Sequence, residues 1–293
     1  MEKEKAERKN EAKNQATIVN PEKLNKKIKS IQESGGKNLH ILTDFDRTLT
    51  CGSAMTSLLG NGKNSDHNPL SYDYTKEADK LYHQYRPIEV DQNLSLEEKK
   101  KAMHEWWRKH FALLIDAGLT KKHIEAIINS KKIKLRDGVN KFFTILKNHN
   151  VPIVIMSASG LGKELIKKCL DKNEINNGNV FIVSNLFVWD QFGKAIGVRE
   201  PIIHAMNKDE TLLQDLPFYY KIRDRENVIL LGDNIEDNAM ANGIAHENIL
   251  KIGFLNKNVV ENLEKYKQHF DVLIINDGSM NFVNQLLSEI LEN

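Results

Sequence analysis

The sequence predicts an α/β protein with a doubly wound, mainly parallel sheet, because short apolar runs recur along the chain with helical patterns between them. Within these runs, apolar residues are nearly continuous and do not alternate with polar ones. Strands of a parallel sheet are covered by helices on both faces, so consecutive positions must be apolar. Six runs meet this condition and are predicted as strands: LHILTD from Leu39, VPIVIMS from Val151, VFIVSN from Val180, VILLGD from Val228, ILKIGF from Ile249 and VLIIND from Val272.

Composition places the chain among ordinary globular proteins. Of its 293 residues 40% are hydrophobic, and 42 Lys and Arg against 40 Asp and Glu give a net charge of +2. That balance argues against a nucleic-acid or membrane-surface partner and favours a small molecule. No apolar run is long enough for a membrane span, and the N-terminus lacks a signal-peptide core. Because Cys51 and Cys169 form no disulfide framework, we expect free thiols and a cytoplasmic location. We also expect a monomer or weak oligomer.

The N-terminal segment, residues 1–36, is predicted to be a charged, solvated helix. Residues 1–40 contain ten Lys or Arg and six Glu, a mixed-sign pattern typical of an exposed helix. Gly35 and Gly36 end it before the first strand.

Residues 53–135 contain no strand-like run and are predicted to form a helical cap domain, inserted into a core made of residues 37–52 and 136–293. A polar loop at 51–70 opens this region. Ser95 and Glu98 then form a capping box that begins a long helix. The apolar face of this helix consists of Met103, Trp107, Phe111 and Leu114. That of the next helix consists of Ile124, Ile127 and Ile128.

Polar residues follow three of the predicted strands, at the ends where parallel strands meet a common edge of the sheet and where ligands bind. Taken singly, each has an ordinary explanation such as a helix cap or an exposed side chain. Their shared edge and their order along the chain favour one site. The candidate residues are Asp44 and Asp46, then Ser157, Ala158 and Ser159, then Lys208, and finally Asp233 and Asp237.

Carboxylates gathered at one edge raise each other's pKa and cost folding energy unless a cation or a reaction uses them. Mg²⁺ prefers hard oxygen ligands and would neutralise them. With that cation present, Asp44 can attack a phosphoryl group while Asp46 transfers protons. Ser157 and the amides that follow it would hold phosphoryl oxygens, and Lys208 would offset their charge.

The segments DFDRT, IMSAS, MNKDE and GDNIED resemble, in order, the four motifs of the haloacid dehalogenase superfamily of phosphotransferases, over about residues 38–291. The resemblance implies that Asp44 is the nucleophile and Asp46 the general acid and base. It also implies that Mg²⁺ is held by Asp44, Asp233 and the carbonyl of Asp46, with Asp237 binding it through water.

A narrower resemblance, to the type III cytosolic 5′-nucleotidases, is carried by YRPIEVDQNLSLEEK, HEWWRKH and ENILKIGFLN. It implies that Glu89 contacts the base and that Trp107 lines the base pocket. The double Trp resembles the branch that also accepts 7-methylguanosine monophosphate. Three places depart from that family: SAS stands where the family has SAG, GVRE at 197–200 replaces GFKG, and the loop at 51–70 matches poorly.

We therefore expect a Mg²⁺-dependent 5′-nucleotidase that hydrolyses nucleoside 5′-monophosphates, pyrimidine nucleotides first, through an aspartyl phosphate. Two other functions stay open: a phosphatase for another small phosphate monoester, and a non-catalytic binding module on the same fold. Two residue roles stay open as well. Trp107 lies on an apolar helix face and could belong to the core, and Glu89 taken alone would be a surface residue.

Overall fold

A computed structural model describes residues 16–54, 70, 72–91, 93–175 and 178–292. Within these residues seven strands form one sheet in the order β1-β9-β8-β7-β2-β3-β4, parallel throughout except for β1, which is antiparallel to β9. A separate antiparallel pair is formed by β5 and β6. The strands are β1 (Ala16–Ile18), β2 (Leu39–Thr43), β3 (Ile153–Ser157), β4 (Val180–Ser184), β5 (Leu186–Trp189), β6 (Ala195–Arg199), β7 (Asn227–Gly232), β8 (Asn248–Leu255) and β9 (Val272–Ile275).

The six predicted strands are confirmed as β2, β3, β4, β7, β8 and β9, and so is the mainly parallel sheet. Their continuous apolar runs have the expected cause. Ile41 lies in a core cluster on one face of the sheet, and its neighbour Leu42 lies in a second cluster on the other face. The edge strand β1 and the pair β5–β6 were not predicted.

The helices are α1 (Pro21–Ser34), α2 (Tyr72–Val90), α3 (Leu96–Asp116), α4 (Lys121–Asn129), α5 (Val139–Asn148), α6 (Gly162–Lys172), α7 (Val259–Lys267) and α8 (Asn281–Leu291). Helices α2, α3 and α4 lie between β2 and α5, and we call them the insert. The expected capping box is present, since Ser95 N donates to Glu98 Oε2 at 2.9 Å. In the described part of the chain, no helix has the length and apolar character needed to cross a membrane.

The N-terminal segment differs from the prediction. Residues 16–18 form a strand on the sheet, and α1 is not a solvated helix, because Leu24, Ile28 and Ile31 are buried in the core. These three residues are spaced four and three apart, which places them on one helix face, while the charged residues lie on the others. The high charge content hid this apolar stripe. The expected helix over residues 1–15 and most of the loop expected at 51–70 lie outside the described residues.

The insert leaves the core and returns to it at one place. Thr50 and Leu135 form an antiparallel bridge, and Cys51 N donates to Lys134 O at 3.0 Å. Arg136 N then donates to Leu49 O at 2.8 Å. The two connections therefore run side by side, directly after the strand that carries Asp44.

Arg136 fastens this junction from within the core. Its side chain is fully buried and stacks over Phe254 at 4.6 Å. The guanidinium donates to the carbonyls of Arg47, Thr48 and Gly278 at 2.6, 2.9 and 2.7 Å. One side chain thus ties the segment after Asp46 to the loop after β9.

We predict that Arg136→Met destabilises the fold by about 3 kcal/mol or more, because several buried carbonyls lose their donor and cannot be rehydrated. Urea unfolding measures this loss. The matched control is Arg223→Met, which removes an exposed pair with Asp224 and should change stability by no more than about 0.5 kcal/mol. A loss below about 1 kcal/mol for Arg136→Met would show that these hydrogen bonds do not hold the junction.

Candidate active site

A cavity of about 280 Å³ opens at the carboxyl edge of the sheet, between the strand ends and the insert. Its described lining comprises Asp44, Asp46, Arg47, Ser53, Tyr82, Arg86, Glu89, Trp106, Trp107, Ser157, Ala158, Ala205, Lys208, Asp233, Asn234, Glu236 and Asp237. A larger cavity of about 640 Å³ lies beside Lys147 and Arg225, but its described lining contains no strand-end carboxylate. The smaller cavity is the candidate active site because nine of the ten predicted site residues line it.

The sheet brings the carboxylates together. Asp44 directly follows β2, and its amide donates to Leu231 O of β7 at 2.9 Å, which extends the strand pairing past the end of β2. Asp233 follows β7. The chain then turns back through a short 3₁₀ helix, so that Asp237 Oδ2 accepts from the amides of Asp233 and Asn234, each at 3.0 Å.

Gly232 makes this turn possible. A Cβ atom at position 232 would lie 2.5 Å from Cβ of Asp237, a separation that real side chains essentially never adopt. A glycine is therefore required for Asp237 to fold back over the end of β7.

Lys208 lies between two of the carboxylates. Its Nζ is 2.6 Å from Asp44 Oδ1 and 2.7 Å from Asp237 Oδ1, and all three side chains are buried. Burial alone would lower the pKa of Lys208, but the charges of Asp237 and Asp44 outweigh burial and raise it. Lys208 is therefore a permanent cation inside the cluster.

One lysine does not neutralise the cluster. Burial raises the pKa of Asp44 to about 7, and the nearby carboxylates add to this effect although Lys208 opposes it. Burial and the charges of Asp44 and Asp237 raise the pKa of Asp233. Burial also raises the pKa of Asp46 to about 6, even though Asp46 Oδ1 accepts a hydrogen bond from Ala54 N at 2.7 Å.

The donor set fits a divalent cation. Carboxylate oxygens of Asp44, Asp233 and Asp237 lie within 4.8 Å of one another. The described lining holds six carboxylates against three cationic side chains, so a phosphate could enter only if further positive charge came with it. Oxygen ligands of this kind suit Mg²⁺. Asp237 Oδ1 is paired with Lys208 and Oδ2 accepts from two amides, and its binding of the ion through water stays a prediction.

Of the three phosphate-binding residues predicted at the end of β3, two line the cavity and one is not among its described lining residues. Ser157, at the end of β3, and Ala158 line the cavity. Ser159 is not among the described lining residues; its amide donates to Ser157 Oγ at 3.2 Å, and its own Oγ accepts from Leu161 N at 3.3 Å. A phosphate contact by Ser159 stays a prediction.

The insert supplies the part of the cavity wall that does not come from the core. Glu89 and Trp107, predicted as base-binding residues, both line the cavity. Glu89 accepts a hydrogen bond from Arg86, one turn earlier in α2. Trp107 is half-buried. The same side chain therefore packs against the core cluster and lines the cavity. Trp106 stacks on Tyr85 with ring centroids 5.9 Å apart and planes 10° apart.

Sequence reasoning missed several lining residues. Tyr82 and Arg86 precede Glu89 by seven and three residues on α2, a helical spacing that could have identified them from Glu89. No such spacing signals the others, which are Arg47, Ser53, Trp106, Ala205, Asn234 and Glu236.

Comparison with known proteins assigns the family. The model of the family described as pyrimidine 5′-nucleotidase (UMPH-1) matches residues 47–291. The chain belongs to the pyrimidine 5′-nucleotidase family. This membership confirms the predicted enzyme class, and the match spans the insert as well as most of the core.

Individual relatives agree with the family assignment. A 7-methylguanosine phosphate-specific 5′-nucleotidase of Gallus gallus is 35% identical over 278 residues, covering 94% of this chain and 95% of that protein. The crystal structure of cytosolic 5′-nucleotidase IIIB bound to cytidine has a TM-score of 0.79 at 31% identity and covers 94% of both chains. A substrate-bound phosphoserine phosphatase, at 18% identity, has a TM-score of 0.51 over 84% of this chain and 96% of that one, a likeness of fold.

The raised pKa of Asp46 predicts a pH-dependent stability. The folded state keeps the proton up to about pH 6, whereas an unfolded aspartate releases it near about pH 4. Stability contributed by this group is therefore lost as the pH rises through that window. Asp46→Asn removes the titration but keeps an acceptor for Ala54 N. In chelator, we expect the variant to match the wild type at about pH 4 and to be more stable by about 1–2 kcal/mol at about pH 7.

Urea unfolding at the two pH values measures this difference. The control is Asp224→Asn, an exposed carboxylate whose replacement should give the same small change at both. An Asp46→Asn difference independent of pH would mean that Asp46 titrates normally in the fold.

Proposed function

We propose that this protein hydrolyses nucleoside 5′-monophosphates whose base is a pyrimidine or 7-methylguanine. One observation carries the proposal: a single cavity is lined both by Asp44, Ser157 and Lys208 of the core and by Trp106 and Trp107 of the insert. The first group suits a phosphate and the second suits a flat base. The names of the Gallus gallus relative and of the cytidine-bound structure support the same choice of bases.

Asp44 acts as the nucleophile. One of its carboxylate oxygens attacks phosphorus, the bond from phosphorus to the 5′ oxygen breaks, and Asp46 gives its proton to the departing nucleoside. The raised pKa of Asp46, about 6, suits a group that must hold a proton and then release it near neutral pH. Asp46 next takes a proton from water, which attacks the aspartyl phosphate and releases phosphate.

Lys208 and Ser157 hold the phosphoryl oxygens while the attack proceeds. Lys208 can turn one of its hydrogen bonds from a carboxylate to the phosphate, since its cation already lies between Asp44 and Asp237. We propose that Asp44, Asp233 and the carbonyl of Asp46, with Asp237 through water, would hold Mg²⁺, whose charge would offset the repulsion between ionised Asp44 and a phosphate dianion.

The aromatic wall selects the base. Trp106 and Trp107 both line the cavity, with ring centroids 6.3 Å apart and planes 29° apart, and together they give it an aromatic surface. Such a surface stacks on any base and attracts a positively charged one, as 7-methylguanine is, more strongly. Glu89 can accept a hydrogen bond from an exocyclic amino group, and its charge also favours a cationic base.

We also infer a cytoplasmic location. Cys51 and Cys169 are free thiols, and reducing compartments preserve these. No described residue bears on the expected monomer or weak oligomer, which stays a prediction.

The proposed activity is tested with cytidine, uridine, adenosine, guanosine and 7-methylguanosine 5′-monophosphates and with p-nitrophenyl phosphate. We predict turnover of the pyrimidine or 7-methylguanine nucleotides, or both, ahead of unmodified purine nucleotides. Asp44→Asn should lower turnover by about a thousandfold or more, because the attacking oxygen is lost. Phosphate release measures both.

Chelation should abolish activity and Mg²⁺ should restore it, whereas Asp224→Asn should retain full activity. Preference for a non-nucleotide ester would favour the alternative phosphatase. A folded Asp44→Asn variant with wild-type activity would remove Asp44 from the mechanism.

The role of the aromatic wall is tested by Trp106→Ala and Trp107→Ala. We predict that each variant lowers kcat/KM for nucleotides by a factor equivalent to about 1–3 kcal/mol, because stacking on the base is lost. Hydrolysis of p-nitrophenyl phosphate should be almost unchanged. Trp107→Ala should also lower the Tm, since this ring packs against the core. Trp189→Ala, in β5 and outside the described lining of the cavity, is the control. Equal losses on every substrate would place the base pocket elsewhere.

A further inference from the structure

A second cluster of metal-ligating side chains lies inside the core, away from the catalytic cavity. His40 Nε2 is 2.9 Å from Glu210 Oε1, and His246 Nε2 is 2.5 Å from Glu210 Oε2. The side chains of all three residues are fully buried. One ligand atom from each lies within 4.8 Å of the others, and none of the three is among the described residues that line the catalytic cavity.

Three separate segments supply these residues. His40 belongs to β2, four residues before Asp44. Glu210 begins a short 3₁₀ helix two residues after Lys208, and its amide donates to Asn242 O at 3.1 Å. His246 lies in the loop that precedes β8. Anything that joins the three side chains therefore joins the segment carrying Lys208 to the central strand and to that loop.

The cluster contains one buried carboxylate and neither a lysine nor an arginine. Glu210 is fully buried, and in the described part of the chain its ion-pair partners are only the two histidines. The nearby Arg225 guanidinium is directed to the carbonyls of Gly36 and Leu39, at 3.0 and 2.7 Å. A buried carboxylate that lacks a lysine or arginine partner is costly, and its charge must be offset by a protonated histidine or by a bound cation.

Within the cluster, hydrogen bonds reach only the Nε2 atoms of the two histidines. Nδ1 of His40 and Nδ1 of His246 are buried and have no hydrogen-bond partner in the described structure. In the described structure each ring makes its hydrogen bond to the carboxylate of Glu210, His40 Nε2 to Oε1 and His246 Nε2 to Oε2, so both Nε2 atoms face one carboxyl group. This convergence of two imidazole nitrogens on one carboxylate is the donor arrangement of a metal site.

We propose that His40, Glu210 and His246 bind one Zn²⁺ ion. Two imidazoles and a carboxylate make a borderline donor set that suits Zn²⁺, whereas the oxygen-only cluster at Asp44 suits Mg²⁺. The three side chains fill three positions of a tetrahedral ion, and water completes the fourth. The ion neutralises Glu210 and fixes the segment that presents Lys208, so its role is structural.

The experiment measures the zinc content of the full chain. The protein is stripped with chelator, returned to buffer with excess Mg²⁺ to occupy the carboxylate site, given one equivalent of Zn²⁺ and freed of loose metal by gel filtration. We expect about one zinc per chain by mass spectrometry and a Tm several degrees above that of the stripped protein. A zinc content below about one-tenth per chain overturns the proposal.

Variants locate the ion. His246→Gln and Glu210→Gln should lose the bound zinc and the zinc-dependent rise in Tm. His149→Gln is the control; this half-buried histidine lies at the end of α5, where Nδ1 bonds Ile145 O, and its replacement should leave the zinc content unchanged. Zinc retained by folded His246→Gln and Glu210→Gln variants overturns the assignment.

A spectroscopic measurement on the wild type covers the case in which the variants do not fold. X-ray absorption at the zinc edge should show a nitrogen and oxygen shell with the multiple-scattering signal of two imidazoles. A signal without imidazole would place the zinc at the carboxylate site and overturn the proposal.

Discussion

The active site depends on one buried lysine placed between two carboxylates, one that follows β2 and one that follows β7. Asp44 and Asp237 can share a dry site in the folded protein because Lys208 Nζ lies within 2.7 Å of both. The chain must therefore hold the Lys208 segment rigidly, although that segment belongs to no strand and to no α-helix. Asn185 does part of this work, since its side chain pairs with both the amide and the carbonyl of Ile203, at 2.8 and 3.0 Å.

The walls of the cavity come from two parts of the chain, and different interactions position the side chains in each part. The sheet supplies charges whose positions follow from strand register, as the bond from Asp44 N to Leu231 O illustrates. The insert supplies flat aromatic surface from helices that pack by side-chain contact. In the proposed mechanism, chemistry at phosphorus is thereby separated from recognition of the base. Substitutions in the insert can change the substrate without moving the nucleophile.

The sequence predicted what depends on local pattern or on motif order. Continuous apolar runs identified the central strands because both faces of the sheet are covered, and the order of the carboxylates identified the cavity because parallel strands end at one edge. Prediction from the sequence failed where the sequence pattern was masked by other residues or was absent. Charged neighbours masked Leu24, Ile28 and Ile31 in α1. Trp106 could not be assigned, because the orientation of two adjacent rings depends on tertiary contacts such as the stacking on Tyr85.

The paired connections of the insert bear on how such proteins diversify. Because Thr50 and Leu135 are bridged, the chain ends that remain after deletion of everything between them already lie next to each other. The order of the sheet, the ladder between β2 and β3 and the contacts of Arg136 with the junction all lie outside this stretch, so a module exchanged here needs only to replace the insert residues that complete the core, such as Phe111 and Ile124. The junction is thus a natural recombination point, at which a lineage can acquire new specificities while inheriting one ancestral catalytic centre.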